Sequence, residues 1–252
     1  MFDYSGRVTI PAPPWQRPSR SRPVKPPLGR DAIVAAAMTV LDAEGLAGLS
    51  MRRVAQELDT GPASLYAHVS NRDELEELVY DRILGEVTVP EPDPRRWQEQ
   101  LRQLMRDVVA ALGRHPGSAR MAMGRVPFTP NALVLEEATL ALMRCGGLPE
   151  RTAALGIDLL FLYATATAFE DSVSANDWGD EETARARQAQ ISGYLGSLPA
   201  DRFPNLVAMA GPLVTGDGTA RFEFGLDILI GGLATASPRG NPEFSPESDA
   251  RH

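Results

Sequence analysis

Apolar positions recur along the chain at helical spacing and almost nowhere with the alternation of a strand. From Arg30 onward, Ile33, Ala37, Val40 and Leu41 stand at i, i+4, i+7 and i+8, and Gly45 is placed to end that helix. Ser50 is an N-cap for the next segment, where Met51, Val54, Ala55 and Leu58 repeat the same face over two turns. Asp59-Thr60-Gly61 breaks the pattern, and Pro62 suits the first turn of a third helix in which Leu65 and Val69, four apart, face inward. Asn71 caps a fourth helix. Asp73 and Glu74 in its first turn complement the helix dipole, and Leu75, Leu78, Val79 and Ile83 form its apolar face.

After a proline-punctuated hinge over 89–94, the spacing predicts further helices over roughly 94–113, 117–124, 130–145, 149–176, 180–196, 201–210 and 219–236. The fold class is therefore all-α: an N-terminal three-helix helix-turn-helix domain, followed by a larger C-terminal helical domain. The expected boundaries are a disordered, basic, proline-rich arm over 1–29, the helix-turn-helix domain over 30–88, the larger helical domain over 94–236, and a disordered tail over 237–252.

A chain of 252 residues buries a core without disulfides or metals. The single cysteine, Cys145, excludes an internal disulfide, suits a reducing cytoplasm, and reads as a small packed side chain. No membrane partner is expected. The apolar stretch over 153–169 is broken by Asp158 and falls short of the roughly 20 residues a bilayer needs. Prolines and arginines stand where a signal peptide would have its apolar core.

The net charge of −8 argues against nucleic acid until it is divided along the chain. Residues 1–72 hold nine Lys/Arg against six Asp/Glu, while the remainder holds sixteen against twenty-seven. A basic front end on an acidic body fits a small DNA-reading module joined to a body that does not touch DNA. Arg17, Arg20, Arg22 and Lys25 are spread along the arm, where they suit phosphates or a minor groove.

The third helix carries the functional signal. With Leu65 and Val69 inward, Pro62, Ala63, Ser64, Tyr66, Ala67 and His68 point outward, a face of small residues and hydrogen-bonding tips without an acid. A recognition helix needs such a face, because its N-terminal half must enter the major groove without repelling phosphate. Arg52 and Arg53 on the preceding helix and Arg72 just after would flank the groove.

The stretches Asp31-Ala32-Ile33-Val34-Ala35-Ala36-Ala37, Glu44-Gly45-Leu46 and Leu49-Ser50-Met51-Arg52-Arg53-Val54-Ala55, then Pro62-Ala63-Ser64-Leu65-Tyr66-Ala67-His68-Val69 and Asn71-Arg72-Asp73-Glu74-Leu75, closely resemble the DNA-binding domain of the TetR family of regulators. The resemblance covers about residues 30–87, and the body resembles the tetracycline-repressor type of C-terminal domain far less specifically. It implies that Tyr66 and Arg72 hold phosphates, that Arg52 reaches a base or phosphate, and that Ser64 and His68 lie at the groove. Asp59 stands where the family often has glycine, in a turn whose left-handed conformation aspartate tolerates. Ala63 and Ala67 are smaller than many family members carry.

No metal site, cofactor or catalysis is expected. His115 and His252 lack partners at metal-ligand spacing, and Gly216-Asp217-Gly218 follows no strand. Glu136 with Glu137, and Glu170 with Asp171, are adjacent pairs that diverge by about 100° on a helix. The 149–176 helix, with Leu155, Leu159, Leu160, Leu162, Tyr163 and Phe169, is apolar nearly all round. With Phe222, Leu226, Leu229, Ile230 and Leu233 of the last helix, and Gly225, Gly231 and Gly232 allowing close approach, it reads either as part of a single buried core or, as the resemblance implies and as the favoured reading, as a homodimer face.

An all-helical body is more than DNA binding requires, which points to a cavity for a small hydrophobic effector. Trp97, Met105, Met121, Phe128, Phe161, Thr165, Thr167, Phe169, Glu170 and Trp178 are the candidate lining. The sequence thus reads as a regulator that binds a palindromic double-stranded operator as a homodimer, most often a repressor in such families, and is released by a small molecule. The alternative is a helical DNA-binding adaptor controlled by a protein partner. An open cavity favours the first, and a filled body with an exposed apolar patch the second.

Overall fold

The computed structural model describes residues 28–123, 128–177, 181–215 and 218–236. Among them are helices and no strand, the all-α class that the spacing predicts. The tail over 237–252 and nearly all of the arm over 1–29 lie outside the described residues.

The N-terminal unit consists of α1 (Arg30–Gly48), α2 (Met51–Glu57), α3 (Pro62–Leu65) and α4 (Arg72–Leu84). Its core is the predicted stripes meeting: Ile33, Ala37, Val40 and Leu41 against Val54 and Ala55, Leu65 and Val69, Leu75, Val79 and Ile83, all essentially sealed from solvent. Burial of each larger aliphatic side chain contributes about 1.5–3 kcal/mol. Gly45 takes φ +68° and kinks α1 where it was expected to stop. A side chain there would strain the backbone. Ser50 Oγ accepts the Arg53 N–H at 3.2 Å, and Asn71 Oδ1 accepts the Glu74 N–H at 2.8 Å, so both predicted caps form.

The body follows with α5 (Trp97–Arg114), α6 (Ser118–Ala122), α7 (Pro130–Cys145), α8 (Glu150–Asp177), α9 (Glu181–Gly196), α10 (Pro204–Ala208), α11 (Ala210–Val214) and α12 (Gly218–Thr235). α5 is a central strut packed against α7, α8 and α12 through Leu101, Leu104, Met105, Val108 and Leu112. Arg106 forks onto Glu223 at 2.6 and 2.7 Å, and Arg102 meets Asp227 at 2.8 Å, so two charge-assisted ties join α5 to α12. On the other side of α12, the Tyr163 ring stacks on Phe222 with centroids 5.5 Å apart, and its hydroxyl donates to the Arg221 carbonyl at 3.0 Å. A Cβ at Gly225 would fall on that hydroxyl, so this glycine does permit the close approach. Gly231 and Gly232 meet nothing within 4 Å, so they do not serve that purpose within one chain.

Two expectations need correction. The single helix over 201–210 is instead two short ones, α10 and α11. Pro212 has no N–H to reach back to the Ala208 carbonyl, so the ladder is interrupted at Met209. By length and composition, α8 is also apolar enough over Glu150–Val173 to cross a bilayer. Asp158 does not break it, because that carboxylate sits on the exposed side of a helix packed against α5, α7 and α12.

Candidate nucleic-acid interface and body cavity

The turn between α2 and α3 is closed by the Thr60 N–H on the Ala55 carbonyl at 2.9 Å, with Asp59 at φ +49° in the left-handed region anticipated for it. α3 is shorter than the expected eight-residue run. It is helical only over Pro62–Leu65, and a turn continues it, with the His68 and Val69 N–H groups both on the Leu65 carbonyl at 2.9 Å. Leu65 and Val69 are the fully buried anchors. Pro62, Ala63, Ser64, Tyr66 and Ala67 are exposed and His68 is half-buried, so the predicted outward face is presented as one surface.

Three arginines act as ties around that surface. Arg30 donates to Glu74 Oε1 at 2.7 Å and to the His68 carbonyl at 3.3 Å, fastening α1 to the segment after α3. Glu74 Oε2 in turn accepts the Ser70 N–H at 2.6 Å, and hydrogen bonds from Ser70, with Arg30 nearby, hold its carboxyl below the ordinary range. Arg53 pairs with Glu44 at 2.6 Å and Glu57 at 3.0 Å, which raises its pKa, Glu44 contributing most. Arg72 meets Glu76 at 2.8 Å and the Leu46 carbonyl at 3.1 Å, and its side chain is still half exposed. Arg52 is exposed and makes no ion pair among the described residues.

The body holds a cavity of about 440 Å³ between α4, α6, α7 and α8. Of the predicted lining, Phe161 and Thr165 face it. Met121 and Phe169 instead line a second space, of about 730 Å³, between the N-terminal unit and the body, with Leu46, Arg72, Glu76 and Arg120. Met105 is sealed in the core, and Trp97 lies against the backbone of Gly146, because α5 turns both towards its helical neighbours rather than into the opening. Phe128 is 75% exposed, Glu170 is exposed, and Thr167 back-bonds to the Tyr163 carbonyl, so none of the three lines the cavity. Trp178 lies outside the described residues.

Among the lining residues that sequence reasoning missed are Tyr80 and Leu84 of α4, Leu135 and Glu136 of α7, and Ile157 and Asp158 of α8. One signal was available. Glu76, Tyr80 and Leu84 stand at i, i+4 and i+8, a second buried stripe on α4 turned away from the DNA-binding core. Burial, reinforced by the Glu136 charge, pushes the Tyr80 phenol up to about 12, and burial raises the Glu136 carboxyl. α4 is docked on α7 by Asn131, whose backbone N–H and side-chain amide meet the Asp81 carboxylate at 2.8 and 2.9 Å.

The outward face of the body consists of Leu155, Leu159 and Leu162 on α8 with Phe224 and Ile228 on α12, all exposed. Leu160, Phe222, Leu226 and Ile230, which the sequence placed on a dimer face, are instead within the chain's own core. The expected apolar excess exists: on α8 it is carried by the expected Leu155, Leu159 and Leu162, and on α12 by Phe224 and Ile228 instead of the expected positions.

Two family models match the chain: bacterial regulatory proteins of the tetR family over residues 33–78, and the tetracyclin repressor-like C-terminal domain over residues 89–237. The HTH-type transcriptional repressor DrrR1 of Streptomyces coeruleorubidus is 32% identical over 92% of this chain and 86% of its own length. Apo ActR from Streptomyces coelicolor superposes with a TM-score of 0.75 at 51% identity, covering 83% of this chain and 98% of ActR. ActR in complex with actinorhodin gives a TM-score of 0.76 at 52% identity, covering 82% and 95%.

Proposed function

The chain belongs to the tetR family of bacterial regulatory proteins, and on that premise we propose that it is a cytoplasmic repressor that binds a palindromic operator as a homodimer and lets go when a small hydrophobic molecule enters the body cavity. The family is one of transcriptional regulators, not enzymes. Release by a small molecule is supported by the likeness to ActR, solved with actinorhodin, and repression by the likeness to DrrR1, a repressor by name. In this reading Pro62, Ala63, Ser64, Tyr66, Ala67 and His68 meet the groove, with Arg52 and Arg72 on its flanking phosphates. Arg53, engaged by two carboxylates, holds α2 on α1 and contributes to DNA binding through that position.

One observation carries the reading. Tyr80 and Leu84 line the cavity on the same helix, α4, that Arg72 opens beside the reading surface. A molecule in the cavity therefore touches the element that positions the DNA contacts. The cavity of about 440 Å³ falls within the range of small-molecule sites and favours an effector over the protein-partner alternative. The exposed stripe on α8 and α12 is the homodimer face. The test is an electrophoretic titration of DNA flanking the chain's own gene, searched for inverted repeats, with and without compounds that raise the melting temperature. Binding to an inverted repeat that such compounds reverse is the expected result. Compounds that stabilise the protein but leave DNA affinity unchanged would refute the control mechanism.

A further inference from the structure

The cavity has a polar edge that an apolar ligand alone would leave unmatched. Tyr80 is only 8% exposed, and its hydroxyl makes no hydrogen bond among the described residues. Glu136 beside it is half-buried and makes neither hydrogen bond nor ion pair among them, and Asp158 stands exposed on the opposite wall. No lysine, arginine or histidine lines the space, and Leu84, Leu135, Leu140, Ile157 and Phe161 form the rest of it.

Both groups reach the cavity space and make no hydrogen bond to the described residues, so a ligand that displaces water from them loses affinity unless it supplies a partner of its own. A carboxylate ligand would meet the Glu136 and Asp158 carboxylates, with no lysine, arginine or histidine lining the space to offset the repulsion. A ligand without a donor would leave Glu136 unpaired and dehydrated. We infer that the cavity selects an aromatic molecule that presents a hydrogen-bond donor, a protonated amine or a phenolic hydroxyl, to Glu136 and Tyr80, and discriminates against a carboxylate at that end. Burial raises the Glu136 carboxyl, which is consistent with a group awaiting a partner. The inference rests on the reading of this cavity as the effector site.

Calorimetric titration of the full chain without DNA tests it, with four probes that share one ring system: naphthylmethylamine, naphthol, methoxynaphthalene and naphthoate. The amine and the naphthol are expected to bind at least about tenfold more tightly than the ether and the carboxylate, about 1.4 kcal/mol. Glu136→Gln should remove about tenfold from the amine and leave the ether unchanged. Tighter binding of the amine than the naphthol identifies a cationic donor, and the reverse a phenol. Naphthoate or the ether binding as tightly as the donors overturns the inference while leaving an effector site in place. No binding of any probe to the wild-type chain overturns the site itself. The wild-type ranking stands on its own even if the Gln variant does not fold.

Discussion

His115, at the end of α5, places Nδ1 2.6 Å from Oδ1 of Asp42 on α1, joining the body directly to the DNA-reading unit. Its other nitrogen lies 3.0 Å from Glu86 Oε1, just beyond α4, and Arg114 donates to the second oxygen of Glu86 at 2.6 Å. Both ring nitrogens face carboxylates. The ring is buried where three segments converge, so any change in the angle between body and reading unit must disturb these bonds.

Replacing His115 with alanine should lower the melting temperature. Hydrogen bonds to charged groups contribute about 1.5–3 kcal/mol, but the Asp42 side chain is 48% exposed, so screening reduces the expected loss to about 1 kcal/mol. For a chain of this size that is about 2–4 °C in a thermal melt. An unchanged melt with an unchanged ligand response would show that the tie has no mechanical role.

Glu86 gives the contact a pH dependence. Burial alone would raise its carboxyl, but the hydrogen bonds from Arg114 and His115 outweigh that and hold it below the ordinary range. A depressed folded value means stabilisation that is present above the unfolded value, about 4.3, and lost as pH falls through the folded one. Glu86→Gln should therefore melt earlier than wild type near neutral pH, with the gap closing below about pH 4. A gap of constant size across an acid titration monitored by circular dichroism would rule this out.

How much of this was legible in the sequence depended on the range of the interaction. The Ser50 and Asn71 caps, the Asp59 turn and the Leu65–Val69 anchors are set by neighbours within a few residues, and all appear as expected. The partners of His115 lie 73 and 29 residues away, so no spacing rule reaches them. The cavity failed for a related reason. α8 is apolar nearly all round, so its pattern does not say which side faces α5, which the cavity and which the solvent. Phe161 faces the opening, Leu160 the core and Leu159 the outside, and the exposed Leu162 borders both the opening and the outer face, a division made only by the neighbouring helices.

DNA contacts should divide by their surroundings. Tyr66→Phe and Arg72→Ala are expected to weaken binding uniformly across sequences, and Arg72→Ala to reduce the salt slope by about one. Ser64 and His68 substitutions should instead shift base preference. Arg53→Ala should cost mainly thermal stability, because its guanidinium already holds Glu44 and Glu57. Gel-shift titrations at several salt concentrations check the Tyr66, Arg72, Ser64 and His68 variants and a thermal melt checks Arg53→Ala, and unchanged affinity for both Arg72→Ala and His68→Ala would mean that the reading surface is misplaced.

Two substitutions on one helix separate assembly from folding. Ile228 is exposed and Leu226 is sealed within the chain. Ile228→Glu is expected to yield a folded monomer by analytical ultracentrifugation, whereas Leu226→Glu should unfold the body by leaving a buried charge unpaired. A dimer is required to set two half-sites about one helical turn, roughly 34 Å, apart. Wild type sedimenting as a monomer at micromolar concentration would contradict that assembly.

Control depends on α4 acting as one rigid piece. Its 13 residues span about 20 Å, with Tyr80 and Leu84 at the cavity end and Arg72 at the DNA end. Pivoting on Asp81–Asn131, about 13 Å from Arg72, a tilt of about 10° moves the DNA end by about 2 Å, enough to break a hydrogen bond. The groove spacing is set by DNA, so such a displacement loses contacts on both half-sites together. A ligand drives this only to the extent that it prefers the tilted state. Ala154 is exposed and lines the cavity from α8 rather than α4, which makes it the place to block entry without altering α4. Ala154→Trp should keep operator affinity within about twofold, a difference of under 1 kcal/mol, and abolish release by any compound that releases wild type. If that variant still lets go of the operator at the same compound concentration, the ligand acts elsewhere, and the lever from cavity to groove is not how this regulator is controlled.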